Sequence, residues 1–364
     1  MKILIINNSG IVSDNKGLFV FKAEGEMATY LKEAGNEVEI FQRKVVSASH
    51  SISTFNLIEN GIKATTIKTF FPKILNYVYA YLVGIWRILR NDFVYIYYPG
   101  NFKWLGPIAR ILGKEYGLYL RGSVGVETKS SKFLYRYAKV VFCVSPIFTK
   151  MVNEAGGNGI DKKPEMSFEY KDIVRDREYV SKDEYSILYL GRIDLDKGLV
   201  ELLEASKIIR ERGYKFNLDL VGDGSPLALL KRKAVELKLS DSVSFHGMVM
   251  DKNKVKQFYL NADFYVLPTY HEGFARTLCE AMIFGTPVIT TFVGGIPGLM
   301  KEKYNALRLE PKSTESIVEN LIYAMNNYGE MGELAKNGTI KAGEIIDPNR
   351  LSHPEQLNKL LKEV

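Results

Sequence analysis

Short apolar runs alternate with amphipathic segments along most of the chain, and this alternation is the feature that most constrains the fold. A strand, a helix and a second strand in succession build a parallel sheet with helices packed against it. Runs that are apolar throughout, such as residues 187–190, are typical of a sheet covered on both faces. The pattern therefore predicts an α/β fold with parallel sheets.

The periodicity also predicts the individual elements. Strands are predicted at residues 2–7, 37–41, 93–97, 117–120, 140–144, 186–190, 217–221, 242–246, 263–267 and 287–291. Helices are predicted at residues 24–33, 198–212, 226–238, 255–260, 277–284 and 314–326.

These elements fall into two groups, which suits a chain of 364 residues at about 150 residues per domain. The stretch 157–184 separates the groups, because it is rich in glycine and charged residues and lacks periodicity. We predict a first domain at 1–165 and a second at 166–345. The remaining segment, 346–364, is predicted to contain a helix that packs back on the first domain.

Composition excludes several classes of protein. Hydrophobic residues make up 46% and charged residues 25% of the chain, which excludes a disordered or fibrous protein. Cys143 and Cys279 each lie in an apolar run, so neither a disulfide framework nor a cysteine zinc site fits. The first six residues favour a buried strand over a signal peptide. We therefore expect a cytoplasmic protein.

In open parallel sheets, ligands bind beyond the carboxyl ends of the strands, so the loops after strands are the candidate sites. The loop after strand 186–190 contains Gly191, Arg192 and Lys197 and ends at Gly198, where a helix begins. Two cations together with the N–H groups of a helix start favour a diphosphate. A charged turn without a ligand is the alternative.

Two further loops carry glycines at strand ends. Residues 221–224 read Val-Gly-Asp-Gly, and His246 and Gly247 close the strand 242–246. Glycine allows a ligand to approach the backbone closely, and backbone groups beside His246 can meet a nucleotide base. A plain turn and a half-buried histidine are the alternatives.

The segment after strand 263–267 is the most informative, because Glu272 and Glu280 lie eight residues apart around a helix start near Gly273. Helical geometry separates two such positions by about 80° and about 12 Å, which suits the two ends of an extended ligand. Carboxylates accept hydrogen bonds from sugar hydroxyls, and the helix N–H groups between them suit phosphate. The alternative is a solvated Glu272 and a Glu280 that bonds within the core.

Together and in this order, these motifs resemble those of the retaining GT-B glycosyltransferases, in particular the large family-4 group. The resemblance runs from about residue 187 to 326 and includes the segments 280–289 and 294–297. It implies two Rossmann-like domains with parallel sheets that face each other across a cleft. It also implies a nucleotide-sugar donor, based on UDP or GDP, that is held mainly by the second domain.

The resemblance assigns roles to particular residues. Arg192 and Lys197 contact the diphosphate, Glu272 holds the hydroxyls of the donor sugar, and Glu280 binds the ribose. Further donor contacts are implied for Gly191, His246, Gly247, Phe274, Ala275, Arg276, Thr277 and Leu278.

The first domain matches the family less well. Gly17 precedes the helix at 24–33, where the family keeps a glycine loop near the donor phosphate. Many members have a histidine after a middle strand, and this chain has Arg121 at that place. The resemblance leaves open whether Arg121 contacts the donor or the acceptor.

The implied reaction is transfer of a hexose, with retention of configuration, to a glycan or lipid-linked glycan in cell-surface polysaccharide or glycolipid biosynthesis. No second carboxylate is placed for a covalent double displacement, so we hypothesise a front-face attack assisted by the leaving phosphate. No cofactor and no metal ion are expected, because cations and a helix dipole replace the metal.

The first half of the chain is basic, and its charge lies among aromatic residues. Residues 1–170 contain 22 Lys and Arg against 14 Asp and Glu, and no acidic residue lies between Glu59 and Asp92. Thirteen uncharged residues separate Lys73 from Arg87, too few to span a bilayer. We expect peripheral contact of 60–104 with an anionic membrane, at the inner face of the cell membrane. A buried helix of the first domain and a merely solubilising charge are the alternatives.

Other functions remain open. A nucleotide-sugar 2-epimerase shares the architecture but needs its own acid and base residues, and the spacing of Glu272 and Glu280 argues against it. A non-catalytic relative that binds nucleotide sugars is disfavoured by the intact set of donor residues. We expect no nucleic-acid partner, because no nucleic-acid-binding signature is visible.

Overall fold

The computed structural model describes residues 1–45, 53–67, 72–122 and 125–363. They divide into two units, one of Met1–Glu165 with Leu351–Val364 and one of Met166–Arg350. The predicted second boundary, 345/346, lies five residues before the one observed.

The strands are β1 (Lys2–Ile6), β2 (Ile11–Asp14), β3 (Gly17–Val20), β4 (Glu37–Val45), β5 (Phe55–Asn56), β6 (Lys63–Ile67), β7 (Phe93–Tyr98), β8 (Glu115–Leu120), β9 (Val140–Cys143), β10 (Gly159–Asp161), β11 (Glu184–Leu190), β12 (Lys215–Val221), β13 (Val243–Gly247), β14 (Phe264–Leu267), β15 (Val288–Thr291) and β16 (Leu307–Leu309). The helices are α1 (Lys22–Glu33), α2 (Lys73–Ile88), α3 (Leu105–Ile111), α4 (Lys129–Tyr137), α5 (Pro146–Glu154), α6 (Leu199–Glu211), α7 (Leu227–Glu236), α8 (Lys252–Asn261), α9 (Arg276–Ile283), α10 (Thr314–Asn326), α11 (Tyr328–Ile345) and α12 (His353–Lys362).

The first unit is built on one sheet whose strands run in the order β10-β9-β8-β7-β1-β4 and continue through β2, β3 and β5, with β6 also paired to β4. The pairs are parallel except for β2–β3 and β3–β5. Helices cover both faces, because successive residues of a strand point to opposite sides. Leu4 and Ile6 of β1 lie in the core beneath α2 to α5, whereas Ile3 and Ile5 face α1 and α12.

The C-terminal helix α12 is part of this unit. Leu357 and Leu361 lie in its core, and the His353 ring nitrogen is 2.6 Å from the Tyr95 hydroxyl. Burial lowers the pKa of His353 well below its usual value, so the ring is neutral here.

The second unit has a parallel sheet of order β13-β12-β11-β14-β15-β16. The predicted α/β class, with mainly parallel sheets in two domains, is confirmed. The strand order reverses between β11 and β14, which are neighbours in the sheet but far apart in sequence. Among the helices of the described ranges, none has both the length and the apolar character needed to cross a membrane.

Candidate functional site

The candidate site lies in the second unit, where the loops after β11 and β14 leave neighbouring strands. The strand order reverses between these two strands, and such a point is where open parallel sheets bind ligands. Residues 191–198 form the first loop and residues 268–275 the second. Both were predicted from sequence as ligand loops.

The two loops are in direct contact. The backbone N–H of Tyr270 donates to the carbonyl oxygen of Asp196 at 2.7 Å. Gly198 has a φ of +68°, and a Cβ at that position would lie 2.2 Å from the carbonyl oxygen of Pro268. Only glycine permits both this conformation and this approach, so Gly198 fixes the separation of the two loops.

An ion pair joins the two loops. Lys197 is only 9% exposed. Its ammonium is 3.1 Å from a carboxylate oxygen of Glu272 and donates to the Thr269 hydroxyl at 3.3 Å. Both residues were predicted as catalytic, and the structure brings them together although they are 75 residues apart.

Arg192, the second predicted cation, is in a different environment. Its side chain is 67% exposed and pairs with Asp194 at 3.0 Å. Gly191 precedes it and donates its N–H to the carbonyl oxygen of Val221, which joins this loop to the one after β12. Arg192 is therefore a solvent-facing cation on the same loop as the buried Lys197.

A third loop, after β15, holds Glu272 in place. The N–H of Gly295 donates to the carbonyl oxygen of Glu272 at 2.9 Å. A Cβ on Gly294, which has a φ of +57°, would lie 1.9 Å from the same oxygen. The backbone of Glu272 is thus fixed by the Gly-Gly pair that the sequence motif includes.

Helix α9 begins at Arg276, with Ala275 as its N-cap, and not near Gly273 as predicted. Glu272 lies four residues before the helix, so the helical separation predicted for Glu272 and Glu280 does not apply. The reason is local: the chain from Glu272 to Phe274 follows the loop contacts with Gly294 and Gly295. Ala275 has no side-chain oxygen, so the first N–H groups of α9 have no side-chain cap.

The remaining predicted residues of this segment differ in exposure. Ala275 and Leu278 are buried, Phe274 and Thr277 are half-buried, and Arg276 is exposed. The Thr277 hydroxyl accepts a hydrogen bond from Tyr265 at 2.7 Å. Phe274 to Leu278 therefore offer mainly backbone N–H groups and the Arg276 side chain to a ligand.

Glu280 lies one turn further along α9 and is 6% exposed. Its Oε2 accepts a hydrogen bond from the Tyr259 hydroxyl at 2.9 Å. Burial raises the pKa of the Glu280 carboxyl, and the bond from Tyr259 and the charge of Arg276 oppose that rise. The carboxylate also has a hydrogen bond with Ser167, and its remaining lone pairs can accept hydrogen bonds from ligand hydroxyls.

His246 and Gly247 lie at the end of β13, two strands away from β11. The His246 ring nitrogen is 2.6 Å from Asp219 Oδ1, and its ring packs on Phe258. Gly247 has a φ of +67° and accepts the N–H of Gly222. Both residues share the carboxyl edge of the sheet with the ion pair but make no direct contact with it in the described structure.

Gly17 and Arg121 belong to the first unit. Gly17 lies in the β2–β3 hairpin opposite Asp14, with the Asn56 side chain where its Cβ would be. It is therefore not in a loop that leads into α1, which differs from the position that the resemblance implies. Arg121 follows β8, and its Nη2 donates to Asn7 Oδ1 at 2.8 Å.

Sequence reasoning missed several polar residues. Tyr259 and Thr269 contact Glu280 and Lys197, and Asn7, Glu24 and Gln42 form a buried cluster in the first unit. The sequence contained a signal for Asn7 and Gln42, because each is a residue with an amide side chain that continues a run of apolar strand residues. Burial raises the pKa of Glu24 to about 7, although bonds from Asn7 and Gln42 and the charge of Arg121 oppose the rise.

The second unit also has a groove of 710 Å³ elsewhere, between residues 170–179 and α11. Its lining mixes Arg175 and Lys336 with Glu344 and Asp347. It lies away from the carboxyl ends of the strands and contains none of the predicted site residues, so its volume does not identify it as the site.

Several known proteins are similar in sequence to this unit. Residues 171–341 match the model of the family described as glycosyl transferases group 1. The match covers nearly all of the second unit, whose sequence is therefore similar to a glycosyl transferases group 1 domain. An uncharacterized glycosyltransferase of Methanocaldococcus jannaschii is 32% identical over 164 residues, which are 45% of this chain and 42% of that relative. The capsular polysaccharide biosynthesis glycosyltransferase CapM of Staphylococcus aureus is 29% identical over 167 residues, 43% of this chain and 40% of CapM.

The aligned part of the chain thus spans less than half of each of these relatives. Solved structures extend the likeness to the whole fold. Anabaena HepE in complex with UDP and glucose has a TM-score of 0.67 at 17% identity, covering 100% of this chain and 98% of HepE. At this identity the likeness shows the fold alone, and the predicted GT-B fold is confirmed. The match to the group 1 model agrees with the family resemblance, whereas family-4 membership and retention stay predictions.

Proposed function

We propose that the chain is a glycosyltransferase that moves a hexose from a nucleoside-diphosphate sugar to a glycan or lipid-linked glycan. One observation carries the proposal: the ion pair of buried Lys197 with half-buried Glu272 and the buried acceptor Glu280 share the edge of the sheet where its strand order reverses. The sequence of this region is similar to that of a glycosyl transferases group 1 domain.

Each group suits one part of such a donor. Glu280 accepts hydrogen bonds from the two ribose hydroxyls, and Glu272 accepts them from hydroxyls of the sugar. Lys197, Arg192 and the uncapped N–H groups of α9 supply positive charge for the diphosphate. Because Lys197 holds Glu272 in place before any ligand binds, these charges are preorganised, which is what stabilises a departing anion most. His246 and Gly247 are assigned to the base.

The donor nucleotide is UDP or GDP, and UDP is the first to test because HepE was solved with it. The proposed transfer breaks the bond between the sugar C1 and the diphosphate oxygen and forms a bond from C1 to the acceptor oxygen. The acceptor proton passes to the leaving phosphate on the same face, so the configuration is retained. No metal ion is assigned a role, and excess EDTA is expected to leave the rate unchanged.

Turnover tests this function directly. The chain is incubated with UDP- and GDP-hexoses, with and without an extract of bacterial lipids and polysaccharides as the acceptor source. Release of the nucleoside diphosphate that depends on the extract supports transfer, and an α-configured product by NMR from an α-configured donor supports retention. A product with inverted configuration contradicts retention. A free 2-epimer formed without acceptor indicates an epimerase, and binding without release indicates a non-catalytic relative.

We also propose that the first unit binds an anionic membrane, at the cytoplasmic face, and that polysaccharide or glycolipid precursors there supply the acceptor. Helix α2 exposes Ile74, Val78, Leu82 and Trp86, which recur every four residues and so share one face. Ile74 is 77% and Leu82 61% exposed. The solvent face of a helix in a globular protein is ordinarily polar, so an apolar one indicates a partner.

The exposed apolar surface continues onto the neighbouring helices. Ile111 of α3 is 84% exposed, and Phe133 and Tyr137 of α4 are exposed beside it. Cations accompany these rings: the Arg90 guanidinium lies 3.7 Å from the Trp86 ring centre, and Arg110 lies over Tyr137. Aromatic and cationic side chains on one apolar face suit a lipid interface with anionic headgroups. Of the predicted segment 60–104, residues 68–71 lie outside the described residues.

Co-sedimentation with vesicles tests the membrane proposal. We expect binding to phosphatidylcholine vesicles only when phosphatidylglycerol is included, and loss of that binding at high salt. The double variant Ile74→Ser with Leu82→Ser should not bind, whereas the control Ile340→Ser, on α11 of the second unit, should bind as the unchanged chain does. No binding at low salt, or concentration-dependent dimers that the double variant abolishes, would contradict the proposal.

A further inference from the structure

Three polar side chains are buried together in the first unit, at the carboxyl end of β1. Asn7 directly follows that strand, Glu24 lies in the first turn of α1, and Gln42 lies on β4. All three are almost fully excluded from solvent. A buried carboxyl is costly unless hydrogen bonds satisfy it, so this cluster needs an explanation beyond packing.

The hydrogen bonds form a chain that leads to Arg121. Asn7 Nδ2 donates to Glu24 Oε2 at 2.9 Å, and Arg121 Nη2 donates to Asn7 Oδ1 at 2.8 Å. Gln42 Nε2 donates to the other oxygen of Glu24. Because an ionised carboxylate can only accept, Glu24 fixes the Asn7 amide with its oxygen turned toward Arg121.

Within this series of hydrogen bonds, Arg121 is the residue that reaches the edge of the sheet. It follows β8, and its N–H donates to the carbonyl oxygen of Tyr98 at the end of β7. Its guanidinium lies 5.3 Å from the centre of the Tyr97 ring. Arg121 is half-buried and bonds to residues at the ends of β1 and β7, where the strand order of this unit reverses.

We propose that Glu24 is a positioning residue that holds the Arg121 guanidinium through Asn7, and that protonation of Glu24 releases it. The proposal rests on the function proposed above, since it adds a proton-sensitive arginine to the first unit of the glycosyltransferase.

Protonation of Glu24 weakens the hydrogen-bonded connection to Arg121 in two ways. A neutral Glu24 presents an O–H donor, so the Asn7 or Gln42 amide must rotate to accept it, and rotation of Asn7 turns its NH2 group toward Arg121. The negative charge that attracts Arg121 is also removed. The charged and titratable groups that act on Glu24 in the described structure are Arg121 and the Tyr97 hydroxyl. The pKa of Glu24, about 7, makes both states accessible near neutral pH.

The chemical reactivity of Arg121 tests this without any donor or acceptor. The chain is treated with phenylglyoxal over a range of pH, and modification of Arg121 is measured by mass spectrometry relative to Arg308, an exposed arginine of the second unit. We expect the ratio of Arg121 to Arg308 to fall about fivefold as pH rises through about 7, because one hydrogen bond to a charged group is gained. In Glu24→Gln the ratio should not depend on pH.

Two further variants separate the relay from a direct effect of charge. Asn7→Leu breaks the hydrogen-bond chain but keeps the charge of Glu24, so only the weaker pH dependence caused directly by that charge should remain. Gln42→Leu removes the other partner of Glu24 and should retain the full pH dependence. A ratio that is flat in the unchanged chain, or that falls equally in Glu24→Gln, overturns the proposal. The isosteric Glu24→Gln arm decides the result if Asn7→Leu does not fold, and an absence of sugar transfer does not affect this readout.

Discussion

The two sheets use their carboxyl edges differently. In the second unit the charged groups come from loops, and Lys197 and Glu272 meet because three loops are tied together by glycines and backbone hydrogen bonds. In the first unit Glu24 and Gln42 lie on a helix and a strand, whereas Asn7 and Arg121 directly follow strands. The Asn7 amide connects Glu24 to Arg121.

This difference explains which site the sequence reveals. The loop residues of the second unit are spaced locally, between glycines that mark turns, so a motif is visible in a single sequence. The cluster of the first unit joins residues 7, 24, 42 and 121, and its bonds span up to 114 positions. No local pattern encodes such contacts, and only the parallel pairing of β1 with β4 and β7 brings them together.

The largest effect that separates the two units concerns turnover. Lys197→Ala and Glu272→Ala should each lower the rate of nucleoside-diphosphate release by about 100- to 1000-fold, because each removes a preorganised group from the reacting diphosphate sugar. The control is Lys207→Ala, whose ammonium pairs with Glu211 on the exposed surface of α6. If Lys207→Ala lowers the rate as much as Lys197→Ala does, the Lys197–Glu272 ion pair has no specific role in turnover.

A second effect belongs to the first unit and depends on pH. The pKa of Glu24 is raised from 4.5 to about 7 on folding, so its stabilising contribution is complete below pH 4.5 and is lost as pH rises through 7. The free energy of unfolding should therefore fall by about 3 kcal/mol between about pH 5 and pH 8.5 relative to Glu24→Gln. Urea unfolding of both forms measures this difference. Parallel curves for the two would show that Glu24 is not buried as described.

A third effect tests the contact between the loops of the second unit. Gly198→Ala should destabilise the chain by about 2 kcal/mol, because the left-handed conformation is strained and the new methyl group meets the Pro268 carbonyl. Gly213→Ala has the same sign of φ but open space around the Cβ, so it should cost about 1 kcal/mol. Thermal unfolding of both variants measures the difference. Equal losses of stability would show that the close approach of Gly198 to Pro268 does not contribute.

The smallest effect concerns the partner of Glu280. Tyr259→Phe removes the hydrogen bond to a buried carboxyl and should lower the free energy of unfolding by about 1 kcal/mol. Tyr323 makes a similar bond to Glu330 on the exposed surface, so Tyr323→Phe should change stability by less than about 0.5 kcal/mol. Equal effects for the two tyrosines in denaturant unfolding would contradict the described burial of Glu280.

Much of the second unit could be predicted because its signals are local. The strand predicted at 287–291 is observed at Val288–Thr291, and the helix predicted at 277–284 at Arg276–Ile283. The separate prediction of a helix start near Gly273 was wrong, because Gly273 lies in the loop that precedes α9. Turn chemistry alone does not reveal that Gly294 and Gly295 hold Glu272.

The first unit was less predictable for a physical reason. The β2–β3 hairpin pairs residues through backbone hydrogen bonds that leave little trace in the sequence, so Gly17 was assigned to a helix-leading loop. Helix α2 was identified as aromatic and basic, but whether its apolar face is buried depends on its neighbours. The structure places Ala80 and Ile88 in the core and leaves the face with Leu82 exposed, so α2 is partly buried and its contact with a membrane stays a prediction.

The central claim is that the edge of the second unit holds a nucleoside-diphosphate sugar. Thermal unfolding of the whole chain with UDP-, GDP-, ADP- and dTDP-sugars, repeated on Glu280→Ala, Lys197→Ala and the control Lys207→Ala, tests it most directly. One nucleotide sugar at about 100 times its dissociation constant should stabilise the unchanged chain and the control Lys207→Ala by about 2.7 kcal/mol. It should stabilise neither Glu280→Ala nor Lys197→Ala. The claim would be contradicted if no nucleotide shifted the unfolding temperature, or if Glu280→Ala and Lys197→Ala showed the same shift as the unchanged chain.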